Sequence, residues 1–472
     1  MTRSPTSATL PPGPERARAA NEIAARIDRI PTGRFHVRLA SIVGFGTFFD
    51  GFDAISLAVI LPVIVKAFGI SLSEAGLIIS AGYLGQFVGA IAIGMLSDRI
   101  GRRRAFLLSL TIIGVLAVFC ALAWNEQSLL VFRLLQGFGL GAEVPIAGTI
   151  MNEYLGRKNR GRIGVIYQSL FSWGLFFAPL IALLLTSTLG PGTGWRILLG
   201  LGALPLLVVA VGLFTLPESP RWLAQHGRVE EADTTVARME AEAAAAGKHL
   251  DVPPFVPPGE DRGFSPRELI RGRYGRRTAL LVVLWFTAFF VTYGYSSWLP
   301  TIYVSVGKLN PTSSLTLTVI LGAIQVAMCY VVAWFVENVG RKRSLLYGFA
   351  ISVVGGAFGF VNIVLLGNTT WPILFATGII IGVGIIFPAT SLYVYTGELY
   401  PTRMRGFATS VTSSFARLAS IVSPLVFGFL LDTAGGAGLV FAVLGVAALI
   451  GALTMALGGI ETRAKSLEEL SQ

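Results

Sequence analysis

Five ionisable residues stand inside long apolar stretches of the chain: Asp50, Asp53, Arg133, Glu143 and Arg417. An ionised side chain at the centre of a bilayer costs about 3 kcal/mol or more unless it is paired or solvated, so each of these residues is a candidate functional residue. A carboxyl group in such a place is suited to taking up and releasing a proton, and an arginine is suited to binding an anion. We therefore expect these residues to line one internal cavity.

Asp50 and Asp53 are three residues apart, so on a helix they share one face. Two carboxylates so close together in a medium of low dielectric disfavour the ionisation of both, and one of them then holds a proton. We expect Asp50, rather than Asp53, to carry a proton, with Arg133 as the charge partner that responds to its state. The alternative is a permanent aspartate–Arg133 ion pair that only holds two helices together.

Arg417 lies in the middle of an apolar stretch, where its planar guanidinium could hold a carboxylate through two parallel hydrogen bonds. The alternative is an arginine that packs between helices and is satisfied by backbone carbonyls. Three interpretations of Glu143 stay open. It is a second proton site, a group that attracts cations, or a partner for a serine or asparagine across the bundle.

Aromatic and amide side chains are expected to complete the cavity. Flat rings could stack on an aromatic solute, although such residues more often belong to the core or to the interfacial belt of a membrane protein. The candidates for binding a solute, besides Arg417, are Trp285, Tyr293, Tyr393, Gln168 and Gln325.

Twelve apolar stretches must position these residues, each near or beyond the roughly 20 residues that cross a bilayer. Of the 472 residues, 53% are hydrophobic and only 13% are charged, whereas a soluble chain carries about 25% charged residues. The sequence therefore predicts an all-α membrane protein with twelve transmembrane helices, over residues 37–65, 73–97, 104–124, 127–152, 162–188, 195–216, 276–306, 314–337, 343–366, 371–397, 405–431 and 437–459.

The basic residues fall on one side of these stretches. If the N-terminus is cytoplasmic, 32 of the 37 lysines and arginines lie in the tails and loops on the cytoplasmic side. Positive charge is enriched in cytoplasmic loops, so both termini are expected in the cytoplasm and the protein in the inner membrane. Aromatics are not interleaved with the basic runs, so the net charge of +11 does not indicate nucleic-acid binding.

Short sequences recur with conserved spacing in the two parts of the chain. Leu61-Pro62 recurs as Leu299-Pro300, and Glu153, Gly161 and Pro179 recur at identical intervals as Glu398, Gly406 and Pro424. Such repeats predict two six-helix bundles related by pseudo-symmetry. The expected domains are a mobile N-terminal tail, the first bundle, a central loop, the second bundle and a C-terminal tail, over residues 1–36, 37–216, 217–275, 276–459 and 460–472.

Charged residues at the cytoplasmic ends of the stretches are expected to form a gate. Charge pairs and helix ends there can hold the two halves together in an outward-facing state. The expected gating residues are Asp98, Arg99, Gly101, Arg102, Glu153 and Arg157 in the first half and Glu337, Arg341, Glu398 and Arg403 in the second.

Several of these tracts resemble the major facilitator superfamily over nearly the whole chain. The loop Gly94–Arg104 and the tract Arg133–Gly139 carry the superfamily resemblance, and Asp50–Asp53 and Glu398–Gly406 are similar to the bacterial nicotinate and aromatic-acid proton symporters. Pro217–Leu223 and Glu461–Arg463 look like the sugar-porter and organic-ion branches. The resemblance implies that an acid on the first span pairs with the arginine on the fourth, and that an arginine at the place of Arg417 favours anionic substrates.

The resemblance implies a secondary transporter, and the charges at mid-depth favour uptake of a small, possibly aromatic carboxylate with protons. The alternatives are a proton antiporter for organic cations or drugs, a sugar porter and a substrate-free sensor. The three histidines lie outside the stretches, and no metal-ligand spacing, phosphate loop or nucleophile motif is present. We therefore expect no enzyme activity and no cofactor, and we expect a monomer whose partners are a small organic solute, protons and lipid.

Overall fold

The computed structural model describes residues 14–156, 160–250, 265–433 and 435–463, without the side chains of helix residues 14, 15, 17, 160–166, 168, 402 and 403. The described residues are almost entirely helical and contain no strand. The α-helices are α1 (Pro14–Arg29), α2 (Arg34–Phe68), α3 (Leu72–Ile100), α4 (Arg102–Ala121), α5 (Glu126–Tyr154), α6 (Arg160–Leu189), α7 (Pro191–Leu201), α8 (Pro205–Thr215), α9 (Pro220–Gln225), α10 (Val229–Ala245), α11 (Gly272–Ser305), α12 (Pro311–Asn338), α13 (Arg341–Phe360), α14 (Trp371–Glu398), α15 (Thr402–Leu431) and α16 (Gly436–Gly458).

Twelve helical segments in the described part of the chain are long and apolar enough to cross a membrane, as the sequence predicts. Two depart from a single α-helix. The sixth is divided into α7 and α8, and Pro205, which has no N–H to donate, begins the second piece. The ninth continues beyond α13 as a π-helical turn over Val361–Leu365.

The prolines inside helices reflect the duplication of the chain. Pro62 in α2 corresponds to Pro300 in α11, and Pro179 in α6 to Pro424 in α15. A proline removes one helical hydrogen bond and bends the helix. The two bundles therefore carry prolines at equivalent places in these helices.

Each half forms a bundle, and the most extensive described contacts between the halves involve three pairs of helices. In the first half, α3 packs on α5 and α2 packs on α6. In the second half, α13 packs on α14 and α16, and α11 packs on α15. Between the halves, α3 contacts α15, α2 contacts α11 and α6 contacts α12. Residues of α2, α11 and α15 therefore face one another at the centre of the molecule.

A mobile N-terminal tail is wrong for residues 14–29, which form α1 and pack against α9 and α10 of the central loop. Ile23, Ile27 and Ile30 are buried on one face of this segment, against a core that contains Val236 and Met239. Apolar residues at these helical spacings form one face of α1, which is buried against α9 and α10 in a small helical bundle separate from the twelve spanning segments.

Ion pairs complete this bundle of α1, α9 and α10. The Glu240 carboxylate accepts hydrogen bonds from Arg26 at 2.8 Å and from Arg29 at 2.7 Å. Arg221 in α9 pairs with Asp28 at 3.2 Å. Partial burial favours the neutral acid, but the hydrogen bonds from Arg26 and Arg29 outweigh it and lower the pKa of Glu240.

This lowered pKa predicts that docking of α1 depends on pH. The contribution of ionised Glu240 is complete above the ordinary glutamate pKa of about 4 and is lost as the pH falls through the lower folded-state value. Hydrogen exchange of residues 14–29, measured between pH 7 and pH 3, should accelerate in acid beyond its intrinsic pH dependence. A Glu240→Gln protein should exchange faster already at pH 7 and show a weaker acid response; an unchanged profile would contradict the assignment.

Candidate functional site

A closed network of charged and amide side chains joins α2 to α5. Arg133 Nη1 donates to both carboxylate oxygens of Asp53 at 3.0 Å, and Gln136 Nε2 donates to Asp53 Oδ1 at 3.0 Å. Arg133 Nη1 also lies 3.0 Å from Gln136 Oε1. Asp53 is 4% and Arg133 7% exposed, so the pair is almost fully desolvated. Each charge is therefore neutralised by the other, and the network fastens the two helices.

The expected pairing of Arg133 with Asp50 is wrong, because the structure pairs it with Asp53. Three residues along a helix amount to about 4.5 Å, which is close to a full turn. Arg133 lies near the start of α5, and α5 begins at the membrane face where α2 ends. Asp53 is the aspartate nearer to that face, so it reaches Arg133 and Asp50 does not. Gln136 was missed, and the one signal for it is that it follows Arg133 by three residues and so shares its helix face.

Asp50 lies one turn deeper and forms no ion pair or hydrogen bond with another described side chain. It keeps part of its surface accessible and lies within electrostatic range of Asp53, Glu143 and Arg417. Asp53 is already neutralised by Arg133. The remaining charged groups within electrostatic range of Asp50 are Glu143 from the same half and Arg417 from the other half.

Glu143 is completely buried, and one of its two carboxylate oxygens has a described hydrogen-bond partner. Its Oε1 lies 3.1 Å from Thr47 Oγ1, which lies 2.8 Å from the Tyr167 hydroxyl. No described atom accepts from or donates to Oε2. The sequence left a serine or asparagine open as its partner; the structure supplies Thr47, which precedes Asp50 by three residues on α2. Thr47 and Tyr167 were missed because hydroxyl residues are too common in helices to stand out.

Arg417 on α15 is half-buried, and no described carbonyl or carboxylate accepts a hydrogen bond from its guanidinium. It lies within electrostatic range of Asp50, Tyr293 and Tyr393. The four side chains come from α2, α11, α14 and α15. The alternative in which Arg417 is satisfied by backbone carbonyls therefore has no support in the described residues.

Of the three aromatic candidates, Tyr393 and Tyr293 are accessible, whereas Trp285 is buried. Tyr393 is 57% exposed, and Tyr293 is half-buried. Trp285 has no exposed surface; it packs edge-on against Tyr393 at 4.7 Å and donates from Nε1 to Thr396 Oγ1 at 3.0 Å. Phe289 stacks on Trp285 at 5.3 Å. Trp285 can therefore hold Tyr393 in place but cannot itself touch a solute in this conformation.

Of the two glutamine candidates, Gln325 has a described side chain, and it bonds outside this group. Gln325 donates to the Gly382 carbonyl at 3.4 Å, which joins α12 to α14. The side chain of Gln168 lies outside the described residues. Among the described candidates, Asp50, Arg417, Tyr293 and Tyr393 are the ones that combine proximity with accessible surface.

The charged residues at the face where α2 begins, here called the N-terminal face, pair within each half. Arg102 bonds to Asp98 at 2.5 Å and to Glu153 at 3.3 Å, and Arg341 bonds to Glu398 at 3.0 Å. The expected latch between the halves is therefore not formed by these described pairs. Arg99 and Glu337 are exposed without a described partner, whereas Arg157 and the Arg403 side chain lie outside the described part of the chain.

Glu218 and Glu461 bind the glycine turns that precede α4 and α13. The sequence did not indicate either glutamate as a gating residue. Gly101 and Gly340 have φ of 99° and 114° and begin α4 and α13. Glu218 accepts from the Arg103 N–H at 3.0 Å, and Glu461 accepts from the Arg341 N–H at 2.9 Å. A carboxylate at a helix N-terminus is favourable, and a side chain at either glycine would collide with it. The one signal was that both glutamates lie in tracts carrying the family resemblance.

At the opposite face, where α2 ends and α3 begins, the two halves bind each other directly. The Asp432 carboxylate accepts from the Leu72 N–H at 3.1 Å and from the Ser73 N–H at 2.8 Å. Ser80 Oγ donates to the Ile421 carbonyl at 2.7 Å. A Cβ atom at Gly76 would lie 2.7 Å from the Pro424 carbonyl oxygen, so the backbones of α3 and α15 are in contact. The central site is therefore closed towards this face.

Twelve spanning helices in two repeated bundles, with unpaired charges at the centre, define a membrane transporter rather than an enzyme. Residues 39–472 match the family described as "Sugar (and other) transporter", and the chain belongs to this family of the major facilitator superfamily.

Curated relatives and solved structures agree with this assignment. The chain is 33% identical to the niacin transporter NiaP of Acinetobacter baylyi, covering 95% of this chain and 99% of that protein. It is 28% identical to a gallate transporter of Pseudomonas putida, with 92% and 94% covered. It is 27% identical to the 4-hydroxybenzoate transporter PcaK of A. baylyi, with 88% and 89% covered. The fold matches the xylose transporter XylE of E. coli in a partially occluded inward-open conformation, with a TM-score of 0.71 at 17% identity, covering 92% of this chain and all of that one.

The geometry predicts different stabilities for two otherwise equivalent substitutions. Asp53→Asn leaves Arg133 buried without a counter-charge, which should destabilise the protein by about 3–5 kcal/mol. Asp50→Asn removes a charge that has no described ion-pair partner and should leave the melting temperature in detergent within a few degrees of the unchanged protein. Equal losses for both variants would show that Asp50 is also a structural ion-pair member.

Proposed function

We propose that this protein takes up small aromatic carboxylates together with protons by alternating access. The observation that carries the proposal is the juxtaposition of Asp50 and Arg417. They belong to opposite halves, lie within electrostatic range of each other and have no described hydrogen-bond partners. Tyr293 and Tyr393 stand beside them with accessible rings.

This arrangement supplies both parts of an aromatic carboxylate site. The Arg417 guanidinium can bind the carboxylate through two parallel hydrogen bonds. The faces of Tyr393 and Tyr293 can pack on the ring, with Trp285 behind Tyr393. Niacin, gallate and 4-hydroxybenzoate, named for the three relatives, share one chemical pattern, a single aromatic ring with a carboxyl group.

The same arrangement links the substrate to a proton. When Asp50 is ionised, it attracts Arg417 and competes with a substrate carboxylate for the guanidinium. When Asp50 is protonated, Arg417 is available to the substrate. Proton binding and substrate binding therefore favour each other, and this reciprocity is the thermodynamic requirement for symport.

Glu143 is proposed as a second proton holder in this system. Its Oε2 atom is buried without a described partner, which is costly for an ionised carboxylate. A protonated carboxyl group removes most of that cost. The hydroxyls of Tyr167 and Thr47 form a hydrogen-bonded chain to Glu143 Oε1 along which a proton can be exchanged.

The two halves are bonded to each other at one membrane face and not by the described charge pairs at the other face. This difference supports the alternating-access part of the proposal. The N-terminal face carries most of the lysines and arginines, so we assign it to the cytoplasm of an inner-membrane protein, with both termini cytoplasmic. The halves are bonded at the opposite face, and the described charge pairs at the N-terminal face stay within each half. This is the inward-facing state of a single-chain transporter whose halves, residues 37–216 and 276–459, rock about the central site.

Reconstitution in liposomes tests the proposed function. Uptake of radiolabelled nicotinate, 4-hydroxybenzoate and an organic cation is measured with and without an inward proton gradient. We expect the acids to accumulate only with the gradient, and Asp50→Asn to retain exchange of substrate but lose accumulation. Cation uptake driven by an outward proton gradient would favour the antiporter alternative, and full accumulation of the acids by Asp50→Asn would contradict coupling through this residue.

Arg417→Gln should weaken binding of an aromatic acid about 10- to 100-fold, the equivalent of losing charge-assisted hydrogen bonds worth about 1.5–3 kcal/mol. Binding is measured by calorimetry or by ligand-induced thermal shift on the purified protein. Nicotinamide, which has the ring without the carboxylate, serves as the matched ligand. Its affinity should change little, and Arg417→Lys should restore part of the acid affinity. An equal loss for acid and amide would indicate a structural arginine.

Asp432→Ala should increase the population that is open at the opposite face, because it removes the hydrogen bonds to the start of α3. A cysteine placed at Ser80, which is buried between the halves, reports this opening through labelling by a membrane-impermeant maleimide. We expect labelling several times faster than with Asp432 intact. Thr433→Ala is the matched control, because the Thr433 hydroxyl bonds only to Leu430 within its own half. Equal labelling rates in all three backgrounds would contradict a gating role for Asp432.

A further inference from the structure

A basic surface stands at the start of α11, outside the transport site. Residues 265–277 contain five arginines and one glutamate. A 3-10 turn, Pro266–Ile270, leads into α11, and Arg267, Arg271 and Arg273 are exposed around it. The single acid, Glu268, accepts a hydrogen bond from the Ser265 N–H at 3.1 Å. No described acid pairs with Arg267 or Arg271, so this surface keeps a strong positive charge.

The surface is held in a fixed position. Arg277 donates to the Leu399 carbonyl at 2.8 Å, which anchors the first turns of α11 to the end of α14. Tyr274 stacks on Tyr400 with ring centroids 6.2 Å apart. A Cβ atom at Gly275 would lie 2.8 Å from the Ile270 carbonyl carbon, so the 3-10 turn is folded tightly against α11. The arginines therefore belong to a built element rather than to a loose loop.

The position of this element corresponds to the headgroup layer of the membrane. From Thr278 onward α11 is apolar, and Arg273 precedes that point by five residues, about 7–8 Å along the helix. The headgroup region on each side of a bilayer is about 5–8 Å thick. Ile270 is 76% exposed between the arginines, which is unfavourable in water but suited to the boundary between headgroups and acyl chains.

The arginines border an open groove. Its volume is about 720 Å³, and its walls include Arg267, Arg271, Arg273 and Tyr274. Guanidinium groups bind phosphate through paired hydrogen bonds, and clusters of basic residues beside a transmembrane helix attract anionic lipids. The positive charge of the arginines, their depth in the membrane and the exposed Ile270 all favour a ligand with an anionic group and an apolar part.

We propose that this groove binds the headgroup of an anionic phospholipid from the leaflet on the N-terminal face, which is the cytoplasmic leaflet in the orientation assigned above. Arg267 and Arg271 bind the lipid phosphate, and Ile270 contacts the first part of an acyl chain. Bound lipid thereby stabilises the start of α11, the helix that carries Trp285 and Tyr293. This inference concerns a lipid site and does not depend on the identity of the transported solute.

The test uses the purified full-length protein in detergent. Phosphatidylglycerol or phosphatidylcholine is added, and bound lipid is counted by native mass spectrometry while thermal unfolding is followed in parallel. We expect phosphatidylglycerol to bind and raise the melting temperature, and phosphatidylcholine to do neither. Arg267→Gln/Arg271→Gln should weaken phosphatidylglycerol binding at least tenfold, and Ile270→Ser should weaken it several-fold.

A charge-matched control separates a specific site from general attraction. Arg18→Gln/Arg238→Gln removes two positive charges from exposed positions on α1 and α10 and should leave lipid binding unchanged. Equal weakening by both double variants, or unchanged binding in Arg267→Gln/Arg271→Gln, would overturn the proposal. Glycerol 3-phosphate provides a further arm: a thermal shift as large as that of the lipid would assign the groove to a soluble phosphate compound instead.

Discussion

The cost of an ionised group in a medium of low dielectric is the constraint on which the rest of this structure depends. Asp53 and Arg133 meet it by forming an ion pair to which Gln136 donates a further hydrogen bond, although Arg133 Nε is buried without a described partner. Asp50, Glu143 and Arg417 meet it only in part, since each has polar atoms without a described partner. A protein keeps such incompletely paired groups where a proton or a ligand can complete them.

The different roles of Asp53 and Asp50 follow from this cost of an ionised group. A buried ion pair is costly to break, so Asp53 and Arg133 are suited to holding α2 and α5 together. Asp50 instead lies within electrostatic range of Arg417 in the other half. Charge changes at Asp50 therefore act across the boundary between the halves, whereas charge changes at Asp53 act inside one half.

Duplication gives both halves the same fastening at the N-terminal face. In each half an arginine bonds to a glutamate at the end of a neighbouring helix, and a second glutamate caps the helix that follows a glycine turn. These bonds stiffen each half without joining them. At the opposite face the described contacts between the halves include the hydrogen bonds of one exposed carboxylate, the bond from Ser80 to the Ile421 carbonyl and close backbone packing, all of which can separate without leaving a buried charge. The halves are therefore suited to moving as two bodies.

The sequence alone determined the number of spanning helices, the duplication and the family, because apolar length and repeated spacing are properties of the chain itself. It also identified Asp50, Glu143 and Arg417 as unusual, since a charge within an apolar stretch is visible without coordinates. It could not decide that Arg133 pairs with Asp53, that Trp285 is buried while Tyr393 is accessible, or that α1 docks on α10. Each of these depends on the relative height and rotation of helices far apart in the chain. A shift of three residues, about one turn, changes the partner of a charge while leaving the sequence pattern the same, so only the tertiary structure could settle it.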